Sequence, residues 1–155
     1  MHAILLNMKK QSQRGFTTIE LVLILVVIGI LAALVITTRA GVQQKERNGE
    51  RQRDIKELRD GLEGYFAQNN RYPTFSDMNS DTWRQANLKS IESGVFRDPS
   101  NTSNDLSDKP TKHRYAYTVT SASGTACDDD KTPCTQYTLT ATLEGGGTYS
   151  KSNLN

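Results

Sequence analysis

Residues 14–36 read "RGFTTIELVLILVVIGILAALVI", an apolar run that contains one carboxylate, Glu20, near its start. The 21 residues from 16 to 36 would form a helix of roughly 30 Å, which matches the hydrocarbon core of a bilayer. A charged carboxylate in that layer is unfavourable unless it is paired. The run therefore predicts a transmembrane helix, and Glu20 is predicted to have a role of its own.

Basic residues are concentrated just before this run, at Lys9, Lys10 and Arg14. By the positive-inside rule they predict a cytoplasmic N-terminus, with the bulk of the chain on the far side of the membrane. Removing these three from the 19 basic residues leaves 16, against 17 acidic residues. That balance is not typical of a nucleic-acid-binding protein, and no nucleic acid is directly predicted as a partner.

The first 15 residues form a short polar leader that ends at Gly15. A secretory signal has its small-residue cleavage site after the apolar stretch, whereas Gly15 lies before it. Cleavage beside Gly15 would remove only the charged leader. The apolar helix would stay on the mature protein.

A helical pattern continues beyond the apolar run. Ile55, Leu58, Leu62, Tyr65 and Phe66 fall on one face of a 3.6-residue helix. We therefore expect one helix over about 16–68, with its transmembrane half at 16–38 and its amphipathic half at 39–70. The charged residues of the second half are predicted to lie on solvated faces: Glu46, Arg47, Glu50, Arg51, Arg53, Asp54, Lys56, Glu57 and Arg59.

Residues 71–155 are predicted to form a globular head. A short helix is expected over about 79–92, and alternating β-branched and aromatic residues predict strands at 114–121 and 136–143. The fold class is α+β, a long N-terminal helix packed against a small antiparallel sheet.

Two cysteines, Cys127 and Cys134, lie in the connection between the predicted strands. An even pair in an exported segment most simply forms a disulfide. Zinc would require two further ligands, which His2 and His113 are not placed to supply. The spacing also differs from a C-x-x-C redox motif.

The basic leader, Gly15-Phe16 and Glu20, followed by an unbroken apolar helix, resemble the prepilin signature of type IV pilins and pseudopilins. The stretch "NNRYPT" at 69–74 also resembles the helix ending of major pseudopilins. The resemblance implies cleavage between Gly15 and Phe16 by a membrane-embedded prepilin peptidase. It also implies N-methylation of Phe16 on a mature chain of 140 of the 155 residues.

The resemblance further implies a structural subunit that polymerises through its N-terminal helix into a pilus-like filament. The implied partners are other copies of the chain, minor pilins, an inner-membrane assembly platform and an assembly ATPase. Before assembly the chain would be a single-pass membrane protein with a cytoplasmic N-terminus, and afterwards an extracellular filament subunit. A secretion or DNA-uptake pseudopilin is the alternative within the family, and a membrane-anchored binding module is the alternative outside it.

Two interpretations of Glu20 follow. In the family its partner is the N-terminal amine of the neighbouring subunit, which would set axial register. From position alone, Glu20 could instead sit at the headgroup level or favour the helix N-terminus through the dipole. The family's common proline at the membrane exit is absent, because residues 36–38 read Ile-Thr-Thr. The resemblance therefore gives no basis for predicting that the helix melts there.

The loop "CDDDKTPC" places Asp128, Asp129 and Asp130 next to each other. Major pseudopilins bind calcium in a C-terminal loop, and hard oxygen ligands suit that ion, so these residues are a candidate calcium site. Three consecutive carboxylates are also typical of a solvated turn. No cofactor is otherwise expected. The sequence contains no catalytic motif, so we do not expect an enzyme.

Overall fold

The computed structural model describes residues 15–128 and 131–154, and within the first helix it leaves the side chains of residues 35–40 undescribed. The predicted leader, apart from Gly15, lies outside these residues. The chain divides into two compact units, the first ending at Gly41 and the second comprising Val42–Asn155. The helices are α1 (Thr18–Asn69), α2 (Phe75–Met78) and α3 (Asp81–Asn87), with a 3₁₀ turn at Ser93–Phe96. The strands are β1 (Ala116–Thr120), β2 (Gln136–Thr142) and β3 (Thr148–Ser152).

The long helix predicted over about 16–68 is confirmed as α1. It is a single α-helix of 52 residues that contains Gly41 and Gly49. Among the described residues, no helix meets the length and apolarity needed to cross a bilayer. The predicted span at 16–38 includes residues 35–38, whose side chains lie outside the described set.

The second half of α1 packs into the core of the head. Ile55, Leu58 and Leu62 are fully buried, and Tyr65 and Phe66 pack at the edge of the same cluster. The predicted apolar face is therefore confirmed. Burying each such aliphatic side chain contributes about 1.5–3 kcal/mol.

The helix ends where the sequence indicates. Asn70 takes a left-handed conformation with φ of 53°, and its N–H donates to the Phe66 carbonyl at 2.8 Å. Asparagine tolerates this conformation, which closes a helix at its C-terminus. Pro73 follows and cannot continue the helix.

The single helix predicted over 79–92 is wrong in extent. Ser80 caps α3, which ends at Asn87, and a turn then carries the chain to the 3₁₀ segment. Leu88 and Ile91 are buried in the core, and they reach it from the turn. Gly61 makes this possible, because a methyl group at that position would overlap the Ile91 side chain.

The sheet is antiparallel with the order β1-β2-β3. Tyr117 lies opposite Leu139 and both are fully buried, and the strands predicted at 114–121 and 136–143 are confirmed as β1 and β2. The third strand was not expected, because β3 is a polar edge strand in which exposed and half-buried residues alternate. Gly145, Gly146 and Gly147, all with positive φ, form the turn that leads into it.

Candidate functional site

The start of α1 holds the residues that the sequence singles out for processing and assembly. The Thr17 N–H donates to Glu20 Oε2 at 3.5 Å, and the Glu20 N–H donates to Thr17 Oγ1 at 3.3 Å. This reciprocal pair is the capping-box arrangement, which satisfies two backbone donors at a helix start. Glu20 therefore contacts the helix N-terminus, which is one of the two interpretations of its position, although both hydrogen bonds are long.

Gly15 and Phe16 precede the helix and are exposed, Phe16 to 76%. A Cβ placed on Gly15 would meet no described atom within 4 Å, and the glycine does not have a positive φ. The described structure therefore gives no internal reason for a glycine at this position. A requirement for one would have to come from something that contacts the backbone from outside.

The segment of residues 15–34, which contains the first part of α1, presents an apolar surface on all sides. Every described side chain from 15 to 34 is exposed, and Glu20 carries the one charge in that range. The large apolar side chains there include Phe16, Ile19, Leu23 and Leu34, with exposures from 61% to 76%. Such a surface is far more extensive than the apolar patches of soluble monomers, which indicates that another phase or molecule covers it.

The head contains a group of charged residues that we call the Arg51 cluster: Arg47, Arg51, Asp98 and Glu144. Arg51 donates from Nε and Nη2 to the two Asp98 carboxylate oxygens at 2.7 and 2.9 Å, and both side chains are only 1% exposed. The Arg51 Nη1 also donates to Glu144 Oε1 at 2.9 Å. Arg47 pairs with the same Glu144 at 2.7 and 2.6 Å.

These contacts connect three segments that are distant in sequence: α1, the loop at residue 98 and the β2–β3 turn. The hydrogen bonds that Arg51 donates to Asp98 raise the pKa of Arg51, with a further contribution from the one to Glu144. Hydrogen bonds from Arg47 and then Arg51 lower the pKa of Glu144 to about 2. Glu144 therefore contributes stability above pH 4.5 that is lost as the pH falls towards 2. The cluster fixes the β2–β3 turn against the helix.

The sequence-based expectation that Arg51 lies on a solvated face is wrong. Arg51 is four residues before Ile55 and therefore lies on the buried face of α1. The i, i+4 spacing was the available signal. Its partners Asp98 and Glu144 lie 47 and 93 residues further along, and no sequence pattern connects them.

The prediction that Asp54 lies on a solvated face is also wrong, because Asp54 lies half-buried next to the sheet. The Tyr115 hydroxyl donates to Asp54 Oδ2 at 2.5 Å. Burial, with smaller contributions from Glu50 and Glu57, raises the pKa of Asp54 to about 6. The Tyr115 hydrogen bond opposes this shift.

We expect Asp54→Asn to remove a pH dependence of head stability. The folded-state pKa of Asp54 lies above its unfolded value, so the wild type loses stability as the pH rises from about 4 to 6. Asparagine has no charge to desolvate and can still accept from Tyr115. After discounting for solvent exposure, the variant should be about 1 kcal/mol more stable than the wild type at pH 7.

Denaturant unfolding of the two proteins from pH 4 to pH 7 measures this difference. Glu46→Gln, on the exposed face of α1 and about two helical turns before Asp54, is the matched control and should retain the wild-type pH dependence. If the free energy of unfolding changes with pH in the same way for Asp54→Asn and the wild type, the prediction is contradicted.

The predicted disulfide is present between Cys127 and Cys134, with an S–S distance of 1.99 Å. Asp128 accepts from the Lys131 and Thr132 backbone N–H groups at 2.8 and 3.3 Å, as in a tight turn. Asp129 and Asp130 lie outside the described residues. Within the residues that are described, no three His, Cys, Asp or Glu side chains are grouped as a metal site would require.

An exposed apolar helix start joined to a helix-and-sheet head is the arrangement expected of pilin-like proteins, and comparison with known proteins agrees. The chain is 42% identical over 67 residues to the type II secretion system core protein G of Klebsiella michiganensis, covering 43% of this chain and 47% of that one. It is 39% identical over 62 residues to the core protein G of Escherichia coli, covering 40% and 43%. It is 34% identical over 64 residues to the type IV major pilin protein PilA of Myxococcus xanthus, covering 41% and 29%.

These relatives confirm the resemblance to type IV pilins and type II secretion pseudopilins. The chain spans about half the length of the core protein G relatives it matches, or less. No family model matches it. No solved structure matches it.

Proposed function

We propose that this chain is a structural subunit of a type IV pilus-like filament, not an enzyme. The observation that carries the proposal is the surface of residues 15–34, which is apolar on all sides and carries one carboxylate in its first turn. The relatives named as secretion core proteins and as a major pilin support the same class of protein.

In this proposal the chain exists first in the membrane. The basic leader keeps the N-terminus in the cytoplasm, and the first half of α1 spans the bilayer. The prepilin peptidase cuts between Gly15 and Phe16 and methylates Phe16. The assembly platform and its ATPase then move the subunit into a filament of identical copies and minor pilins, which is extracellular. Lipid contacts are exchanged for contacts between α1 helices. A repeated heterologous contact that does not close produces a fibre.

Glu20 pairs in this proposal with the Phe16 amine of the neighbouring subunit. The two capping hydrogen bonds between Thr17 and Glu20 are long, so capping contributes little to helix stability. The carboxylate can therefore still accept a hydrogen bond from an amine. Inside the filament the apolar surroundings make an unpaired carboxylate costly, so a subunit in the wrong register is disfavoured. Glu20 then sets the axial position of each new subunit.

A pseudopilin of a secretion system is the second candidate, favoured by the similarity to core protein G from several bacteria. Both candidates use the same processing and the same filament core. They differ in where the filament ends, in the periplasm or outside the cell. Immunogold labelling of intact cells distinguishes them, because only a surface pilus is labelled without permeabilisation.

We expect Gly15→Leu to block processing. A leucine side chain would keep the peptidase from closing on the backbone at the cleavage site, whereas the exposed segment itself has room for it. The uncleaved chain should migrate more slowly on an immunoblot with an antibody against the head. Gly15→Ala, which adds one methyl group, is the graded control and should be processed in part.

Normal processing of Gly15→Leu would remove the prepilin interpretation of Gly15. A wild-type chain that keeps residues 1–15 in cells with prepilin peptidase would favour a membrane-anchored binding module instead.

A further inference from the structure

A short turn on the head, residues 109–114, carries a concentration of positive charge. We call it the basic turn; its cations are Lys109, Lys112 and Arg114, and its sequence is "KPTKHR". Lys112 and His113 are at the exposed tip. The one carboxylate next to it in sequence is Asp108, so the segment is clearly cationic.

The basic turn is held in a fixed shape from below. Ser107 Oγ and Thr111 Oγ1 donate to the Lys109 carbonyl at 2.6 and 2.9 Å. The Asn101 Nδ2 donates to the His113 carbonyl at 2.7 Å. His113 has φ of 59°, a conformation that costs free energy for a residue with a side chain. Side chains within and just before the turn, together with Asn101, therefore hold the turn in place, which lowers the entropy cost of using it as a contact.

A groove of about 420 Å³ lies beside the tip of the turn. Lys112, His113, Gly145 and Gly146 are among the residues that line it. Glu144 also borders the groove, but Arg47 and Arg51 neutralise it. The groove is large enough for the end of an acidic side chain.

The matching surface is on α1. Glu46, Glu50 and Glu57 are exposed and lie within about 40° of one another around the helix, away from the buried face. We call these three residues the acidic stripe. Arg53 is on the same side of the helix. Its single positive charge does not offset the three glutamates, so this side keeps a net negative charge.

In the part of the chain that the structure describes, no ion pair within 4 Å involves the acidic stripe or the cations of the basic turn. Both surfaces belong to the same compact unit. Their complementary charges are therefore available to a second copy of the chain.

We propose that in the filament the basic turn of one subunit docks on the acidic stripe of its neighbour. The inference rests on the proposed function and adds a contact between heads to the packing of the apolar helices. The contact is heterologous, because one surface meets a different surface, and this agrees with a fibre that does not close. Complementary charge would also orient an incoming subunit before the helices pack.

A charge-swap experiment on the full-length chain, in cells that carry the assembly machinery, tests this contact. Lys109→Glu with Lys112→Glu should lower the amount of the chain in the sheared filament fraction about tenfold, because the contact repeats at every subunit. Glu50→Lys with Glu57→Lys should lower it similarly. All four substitutions together should restore it to within about twofold of the wild type. The control is Lys89→Glu with Lys131→Glu, which makes the same charge change at two other exposed lysines and should have no effect.

A normal filament yield from the Lys109 and Lys112 double variant, or no rescue by the four substitutions, would overturn the contact. The same double variant can also be tested for retention of its filaments on beads that carry double-stranded DNA. A normal filament yield with lost retention on these beads would also overturn the contact, and would indicate that the basic turn binds nucleic acid. If the wild type itself is missing from filaments, the proposed function fails. If Glu20→Ala lowers the yield and the charge reversals do not, only the contact fails.

Discussion

Glu20→Ala is expected to insert into the membrane and to be cleaved like the wild type, but to be almost absent from filaments. Loss of the carboxylate removes the partner of the neighbouring Phe16 amine, which then has no counter-charge inside an apolar core. Membrane insertion depends on the apolar run and the basic leader, both of which are unchanged. An immunoblot of the sheared filament fraction and of the membrane fraction measures the two outcomes separately.

Glu20→Gln separates pairing from capping. Glutamine keeps an oxygen that can accept from the Thr17 N–H, but it has no charge to offer an amine. We therefore expect Glu20→Gln to assemble as poorly as Glu20→Ala. Wild-type filament yield from Glu20→Gln would show that Glu20 acts only as a helix cap.

Arg51→Met should destabilise the head by about 3–5 kcal/mol, since removing one partner of a buried ion pair leaves the other charge uncompensated. Asp98 is the charge left behind, and its side chain is 1% exposed. Glu144 loses one of its two arginine partners as well. Denaturant unfolding of the full chain in detergent micelles, followed by tyrosine and tryptophan fluorescence, measures the change in the free energy of unfolding.

Arg47→Met is the matched control, because Arg47 pairs with the same Glu144 but is 34% exposed. We expect it to cost about 1 kcal/mol or less. Combining Arg51→Met with Asp98→Asn should cost less than the sum of the two single changes, because no charge then stays buried. If Arg47→Met and Arg51→Met lower the free energy of unfolding equally, the structural role of the buried Arg51–Asp98 pair is contradicted.

The regular parts of the fold could be predicted because their apolar residues are periodic. Ile55, Leu58 and Leu62 mark the buried face of α1, and Tyr117 and Leu139 mark the inward faces of two strands. Periodicity reports which side of an element is buried. The start of the helix also has a local signal in its sequence, because Thr17 and Glu20 have the capping-box spacing.

Contacts between distant segments could not be predicted in the same way. Arg51 looks like one more charged residue in a highly charged helix until Asp98 and Glu144 are placed beside it by the folded chain. The edge strand β3 has a polar sequence, and it pairs because β2 offers it a free edge. The fixed shape of the basic turn depends on Asn101, twelve residues away from His113.

The processed form of the chain in purified filaments decides between a filament subunit and a membrane-anchored module. Filaments sheared from the source cells and analysed by intact-mass and N-terminal sequencing should contain this chain starting at Phe16, with a methylated amine and an intact Cys127–Cys134 disulfide. A chain that keeps residues 1–15, or that is absent from filaments in cells that make the peptidase and the assembly machinery, would contradict the proposal.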